Sequence, residues 1–413
     1  RRIMTGPTDS ASGAAAPRPF DFLNPPQLFG RAEVESQLEV APMFSEVQIR
    51  DAGLSGIAMQ TGLFSEVVLE RVDFAGADLT AVAFSKCRFV DCRFGGAKLL
   101  SIAFNECSFS GCDFRGTLLE VFTIVDCRFA DCDFSGTRFK IDAVTGSAFT
   151  GCRFDGAEQW CTVWQDCELQ GQSWAGATLY CTILSKGNIA GLDLSRAQLE
   201  RCIVQEADIR PLKLSATGLK TVAFQKCILD DMDFAGWKLE QLQFLDCSMK
   251  RIDLSGASMP HCGFAGADLE GGNLAKAMAE GCNFAGARMS GANLDGIVAP
   301  MASFAKADLA GAQVKGGKLQ TAFMEGAQAR GASFAKADFR HALLANADLS
   351  DADLRDADFG WADHHRIVTD GARMDGSTTK GVRGTDRDRQ QAETYWPQSA
   401  PAIPAAPKNP AGG

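Results

Sequence analysis

The residues of this chain with nucleophilic or metal-binding chemistry are 15 cysteines and four histidines, His261, His341, His364 and His365. A zinc site needs thiolates or imidazoles that converge on one point, commonly as closely spaced pairs. The cysteines do not come that way. Cys87, Cys107 and Cys127 recur every 20 residues, and so do Cys92, Cys112, Cys132 and Cys152. All but Cys161 and Cys181 share one phase of a five-residue frame. Spaced so, they point the same way from stacked turns and read as small core residues, badly oriented for disulfides. Cys161 and Cys181 fall out of phase, face outward, and are the only pair whose spacing suggests reactivity. His364-His365 has no accompanying ligand cluster and reads as surface. There is no nucleophile elbow, phosphate-cradling glycine loop or paired-metal spacing. Gly111, Gly136 and Gly156 recur in fixed phase, so they serve turns. The expectation is a protein with no catalytic residue, no cofactor, no metal and no small-molecule substrate.

The frame that places these residues runs through most of the chain. Every fifth position from 44 to 359 holds Phe, Leu, Ile, Val, Met or Trp, except Gln159, Ala279, Ala299 and Ala329. The position two residues earlier is small, as at Ala77, Cys87, Thr117, Ala267 and Ala352. A helix repeats every 3.6 residues and a flat strand every two, so neither explains the pattern. A square coil with one five-residue unit per side does. Each side turns one large and one small side chain inward and three outward. Residues 20 apart then stack about 4.8 Å from each other, and about 16 coils make a rod roughly 75–80 Å long. Phe89, Phe109, Phe129 and Phe149 are one predicted ladder. Phe94, Phe114, Phe134, Phe154 and Trp174 are another. Buried Gln159 beside Trp164 and Trp174 predicts a local bulge near residues 157–175.

The units Ala77-Asp78-Leu79-Thr80-Ala81 and Ala347-Asp348-Leu349-Ser350-Asp351 resemble the pentapeptide-repeat family. The resemblance implies an all-β fold, a right-handed quadrilateral parallel β-helix. It implies little about function, because fold and function are only loosely tied. Residues 1–41 read as an irregular lead-in or cap, with Phe20, Phe22, Leu23 and Leu28 available to plug the first turn. Residues 42–376 are the β-helix, more regular after about residue 250. Residues 377–413 are a tail with a short helix capped near Asp386 and ending about Tyr395, then a Pro- and Ala-rich end.

The formal charge is -10, from 41 basic and 51 acidic side chains. Such a surface does not invite nucleic acid, and no apolar run approaches the roughly 20 residues that span a bilayer. Arg1-Arg2 has no apolar stretch behind it and is not read as a secretory signal. The odd cysteine count points to a reducing compartment, the bacterial cytoplasm. The most informative deviation is an apolar strip on one outer side: Leu100, Val121, Ile141, Trp160, Val163, Tyr180, Ile183 and Ile203. Contiguous exposed apolar area marks a contact surface, and aromatic residues anchor such surfaces. The expected function is a non-catalytic scaffold that binds a protein partner or itself. A second reading follows from resemblance to the quinolone-resistance pentapeptide proteins, which mimic duplex DNA to a type II topoisomerase such as gyrase. Asp338, Asp348, Asp353, Asp358 and Asp363 would supply the acid. A third is an accessory module of a bacterial secretion assembly such as type VI.

Overall fold

The computed structural model describes residues 27–215 and 218–394. The chain winds as a solenoid with four sides, and every strand pairs in parallel with the residues 20 positions before and after it. The first side starts at Met43–Ser45 and climbs to Gln243–Leu245 as one sheet of 11 strands. The second side runs from Leu28–Phe29 to Ala148–Thr150 and the fourth from Lys98–Leu100 to Leu219–Lys220, with 7 strands each. The third side is a ladder of single bridges that begins at Gly53↔Asp73. Beyond Leu245 all four sides continue as single bridges, the last being Asp363↔Arg383. Strands build 11 turns of the first side and then give way to single bridges, which carry it from Gln243 to Arg383, so the strand-built turns are fewer than the expected total of about 16 coils. The reason is that later corners are tight turns which leave only one extended residue per side. The coil itself runs past the boundary expected at residue 376.

The inward side chains form the ladders that the frame dictates. Phe89, Phe109, Phe129 and Phe149 stack with ring centroids 4.4, 4.4 and 4.7 Å apart and nearly parallel planes. Phe94, Phe114, Phe134 and Phe154 follow at 4.6, 4.6 and 4.8 Å. Trp174 continues this ladder at 5.4 Å with its plane tilted by 53°. Further stacks run from Phe44 to Phe104 and from Phe224 to Phe304. Such pairs add about 0.5–1.5 kcal/mol each to the apolar burial itself.

No bulge forms at Gln159. It keeps register between Phe139 and Leu179, fully buried, and its Oε1 accepts a 2.9 Å hydrogen bond from Trp164 Nε1. The oversized Trp thus satisfies the Gln159 carbonyl oxygen, while Gln159 Nε2 has no partner among the described residues.

Both ends of the described coil are covered. Leu28–Phe29 pairs with Gln48–Arg50, and helix α1 (Arg31–Val40) follows, so this part of the lead-in is regular. Phe29 and Val34 are buried against the first turn, with Leu38 partly buried, while Leu28 is exposed. Phe20, Phe22 and Leu23 lie outside the described residues. At the other end helix α2 (Arg387–Thr394) begins at Asp386, whose Oδ1 accepts from the backbone N–H groups of Asp388 and Arg389. Tyr395 lies outside the described residues.

Candidate interaction surface

Except at Arg196 and Pro211, each described corner of the coil from residue 46 to 381 places one residue at positive φ, at every fifth position. Glycine adopts that conformation freely, and Gly56, Gly76, Gly96 and Gly116 do so at one corner of successive turns. At the corner between the fourth and first sides the same conformation is held by Val121 (φ 54°) and Ile141 (φ 57°), then by Cys161 and Cys181. For a β-branched residue this region is a steric outlier that costs about 1–3 kcal/mol.

The apolar strip therefore wraps a corner instead of lying on one side. Leu100, Trp160 and Tyr180 are the last residues of their strands on the fourth side. Val163, Ile183 and Ile203 open strands of the first side. Val121 and Ile141 stand on the edge between them. The difference arises because the corner residue separates two strands whose outward side chains leave at a wide angle. Ile141 is 64% exposed, Val121 50% and Trp160 44%. Leu100, Val163, Tyr180, Ile183 and Ile203 are half-buried. The Trp160 and Tyr180 rings lie 5.0 Å apart and tilted by 43°. Arg201 closes the group from the next turn: its guanidinium donates to the Tyr180 hydroxyl at 3.1 Å and sits 5.8 Å from the ring centroid. Glu120, Lys140 and Glu200 share the column of Leu100, Trp160 and Tyr180, so the aromatic pair is bracketed by charge.

The residues with reactive chemistry fall elsewhere. Thirteen cysteines are buried, and desolvation pushes the Cys167 and Cys202 thiols up to about 11. Cys161 is exposed and Cys181 half-buried; desolvation and the neighbouring Cys181 thiol raise the pKa of Cys161 above its ordinary value. His365 is not at the surface as expected but 1% exposed beneath α2. Its Nδ1 accepts from the backbone of Asp386 at 3.2 Å and its Nε2 lies 3.1 Å from Glu393 Oε2. The frame could not reveal this, because α2 is not part of the frame. Among the described residues no group of three or more His, Cys, Asp or Glu is arranged to hold a metal ion, and no helix is long and apolar enough to cross a membrane.

One residue that the frame should have flagged is Asp142. It occupies the small inward site two residues before Val144 and is 4% exposed. Its Oδ1 accepts from the Phe122 N–H at 3.1 Å, while Oδ2 has no partner. Desolvation pushes its pKa up to about 8, so it is largely uncharged at neutral pH. It sits between Ile141 and Ala143, directly beneath the strip.

The acidic run near the carboxy end carries its own cations. Asp338 pairs with Arg340 at 2.7 Å, and Asp353 with Arg355 and Arg373 at 2.8 and 2.9 Å. The Arg355 guanidinium holds the Asp353 carboxyl down to about 2.

Comparison with known proteins agrees with this architecture. Pentapeptide repeats match in eight copies, over residues 63–99 and, in overlapping segments, 247–363. No curated protein matches the chain. Among solved structures, a trypsin-treated form of QnrB1, a plasmid-mediated fluoroquinolone resistance protein, is 23% identical. That alignment covers 43% of this chain and 91% of the other, with a TM-score of 0.34. HetL, a pentapeptide-repeat protein involved in heterocyst differentiation regulation from the cyanobacterium Nostoc sp. strain PCC 7120, is 18% identical over 86% of this chain and 96% of its own, with a TM-score of 0.20. With its five-residue frame, its stacked inward ladders and these matched repeats, the chain belongs to the pentapeptide-repeat family.

Proposed function

We infer that this protein is a non-catalytic interaction scaffold, a rod that presents an apolar corner to another protein chain. The observation that carries this reading is the exposed apolar surface at that corner. Val121 and Ile141 hold a backbone geometry in which glycine would be more stable, and they expose their side chains there. Thr61 and Thr221 hold the same geometry with polar side chains, so it is the exposed apolar surface of Val121 and Ile141 that supports a contact role. The Trp160–Tyr180 pair, steadied by Arg201, supplies a rigid aromatic anchor beside it. Thirteen of the fifteen thiols are buried, out of reach of a substrate in solution. The acidic run offers little to a nucleic-acid mimic, because arginines neutralise much of it.

The test is affinity capture from a bacterial lysate with wild type, Trp160→Asp and Ile141→Gly, checked by circular dichroism for an intact fold. The reading expects both variants to fold and to lose a captured protein. Retention of the same partners by both would remove it.

A further inference from the structure

The strands of the first side carry no charge. In its 11 strands, from Met43–Ser45 to Gln243–Leu245, the two outward positions hold Ala, Ser, Thr, Asn, Gln, Val, Ile, Leu or Met, never Asp, Glu, Lys or Arg. The other three sides carry charge in the same stretch, as at Arg88, Asp113 and Lys98. The fold does not require this, since outward positions elsewhere accept charge freely. With 11 strands about 4.8 Å apart and three extended residues in each at about 3.3 Å, the flat face measures about 50 by 10 Å. The corner residues that flank it extend the contact toward the roughly 800 Å² that each partner contributes to a stable specific complex.

The geometry points to a second copy of this chain as the occupant, packed face to face and antiparallel about a two-fold axis through the middle strand, Ala143–Thr145. This rests on the scaffold reading above and names one partner for the same edge. Two independent patterns select the arrangement. The first is volume. The two-fold sets Leu63 against the second copy's Ala223, Ala83 against Ile203, Ala103 against Ile183 and Thr123 against Val163, while Ala143 meets itself. Large faces small on the first three of these rungs, Thr123 and Val163 are near-isosteric, and at the ends Met43 meets Gln243, two long side chains. The second pattern is charge at the corner that follows this side. The same axis sets Glu66 opposite Lys226, Lys86 opposite Glu206 and Glu106 opposite Lys186, each pair made twice. Asp126 opposite Asp166 and Glu46 opposite Asp246 are the like-charged exceptions. A slip of one rung keeps only Asp126 with Lys186. It opposes Glu106 to Glu206, Lys86 to Lys226 and Glu66 to Asp246. The reverse slip keeps only Glu46 with Lys226 and opposes Glu106 to Asp166, Lys86 to Lys186 and Glu66 to Glu206. Rim charges of this kind set register and partner choice more than affinity.

Sedimentation of the full chain tests the proposal. Wild type is expected to run as a dimer. Ala143→Glu, an outward and half-buried position, places two like charges on the axis and should yield a folded monomer. Lys186 and Glu206 already approach each other within the chain at 3.9 Å. The register test therefore uses Glu66 and Lys226, which form no ion pair among the described residues. Glu66→Lys alone and Lys226→Glu alone should each weaken the dimer by about tenfold, and the double exchange should restore it. A monomeric wild type, a dimer indifferent to Ala143→Glu, or a double exchange that fails to rescue would each overturn the proposal. Trp160 lies on the adjoining side and separates the two readings. A monomeric wild type that still loses a captured protein with Trp160→Asp refutes the dimer and keeps the scaffold. A dimer that dissociates with Ala143→Glu, in a chain whose capture ignores Trp160, keeps the dimer and removes the strip.

Discussion

The amino- and carboxy-terminal halves of the coil wind with the same period but close their corners differently. In the carboxy half the N–H of the small inward residue bonds back to the carbonyl of the large one three residues earlier, as from Ala287 to Phe284 at 3.0 Å and Ala292 to Met289 at 3.0 Å. Both backbone groups are satisfied locally, so alanine suffices. In the amino half many corners lack that bond. The small residue one turn further on supplies it through its side chain. Cys107 N–H meets Cys127 Sγ at 3.3 Å, and Cys127 Sγ lies 3.5 Å from the Phe104 carbonyl of the same corner. Gln172 does both tasks at the next such corner, accepting from Cys152 N–H at 2.8 Å and donating to the Phe149 carbonyl at 2.8 Å. Ser147 and Asp142 accept from Cys127 and Phe122 in the same way. The cysteines of the amino half are therefore weak hydrogen-bonding groups as well as small fillers. Three-residue strands are the counterpart of these open corners, and single bridges the counterpart of the tight ones.

The contrast can be broken most severely at the aromatic ladder. Phe109→Ala should cost about 3–5 kcal/mol, read as a shift in denaturant midpoint, because rigid stacks above and below keep the cavity from collapsing. A loss below about 1 kcal/mol would mean the stacks relax. Asp142→Thr should instead stabilise the amino half by about 2 kcal/mol near pH 8, since it removes a buried carboxyl from a column whose next turns hold buried Thr162 and Thr182. The sign follows from a folded pKa of about 8 against an ordinary carboxylate value. Native Asp142 retains a proton that the unfolded chain releases, so stability is intact below about pH 4 and falls as pH rises toward about 8. Denaturant midpoints across that window should slope for wild type and flatten for Asp142→Thr. Gln172→Ala comes next, at about 2 kcal/mol, because it orphans a buried N–H and weakens the bonding of a carbonyl. The mirror change in the carboxy half, Ala292→Ser, should move the midpoint by less than about 1 kcal/mol. Equal effects would dissolve the distinction between the two corner types. Ile141→Gly has the opposite sign and is expected to raise stability by about 1 kcal/mol through relief of the positive-φ strain.

Much of this molecule is legible in its residues. Phe89 and Phe109 are layered neighbours because a period of five repeated without slip admits one inward face, and the capping role of Asp386 follows from local chemistry. The strip residues were legible as outward and apolar, but not as an edge, since Val121 and Ile141 look ordinary until their φ angles are known. His365 was misplaced because α2, which buries it, packs from outside the frame. Asp142 was overlooked although its phase marks it as inward.

The sequence by itself determined which side chains face the axis and which residues stack, because a strict short period is a local property that each unit carries alone. Only the tertiary structure decided how each corner's backbone is satisfied and which histidine is buried. Those outcomes depend on groups a full turn away or on a packed helix, and spacing along one strand of the coil does not encode them.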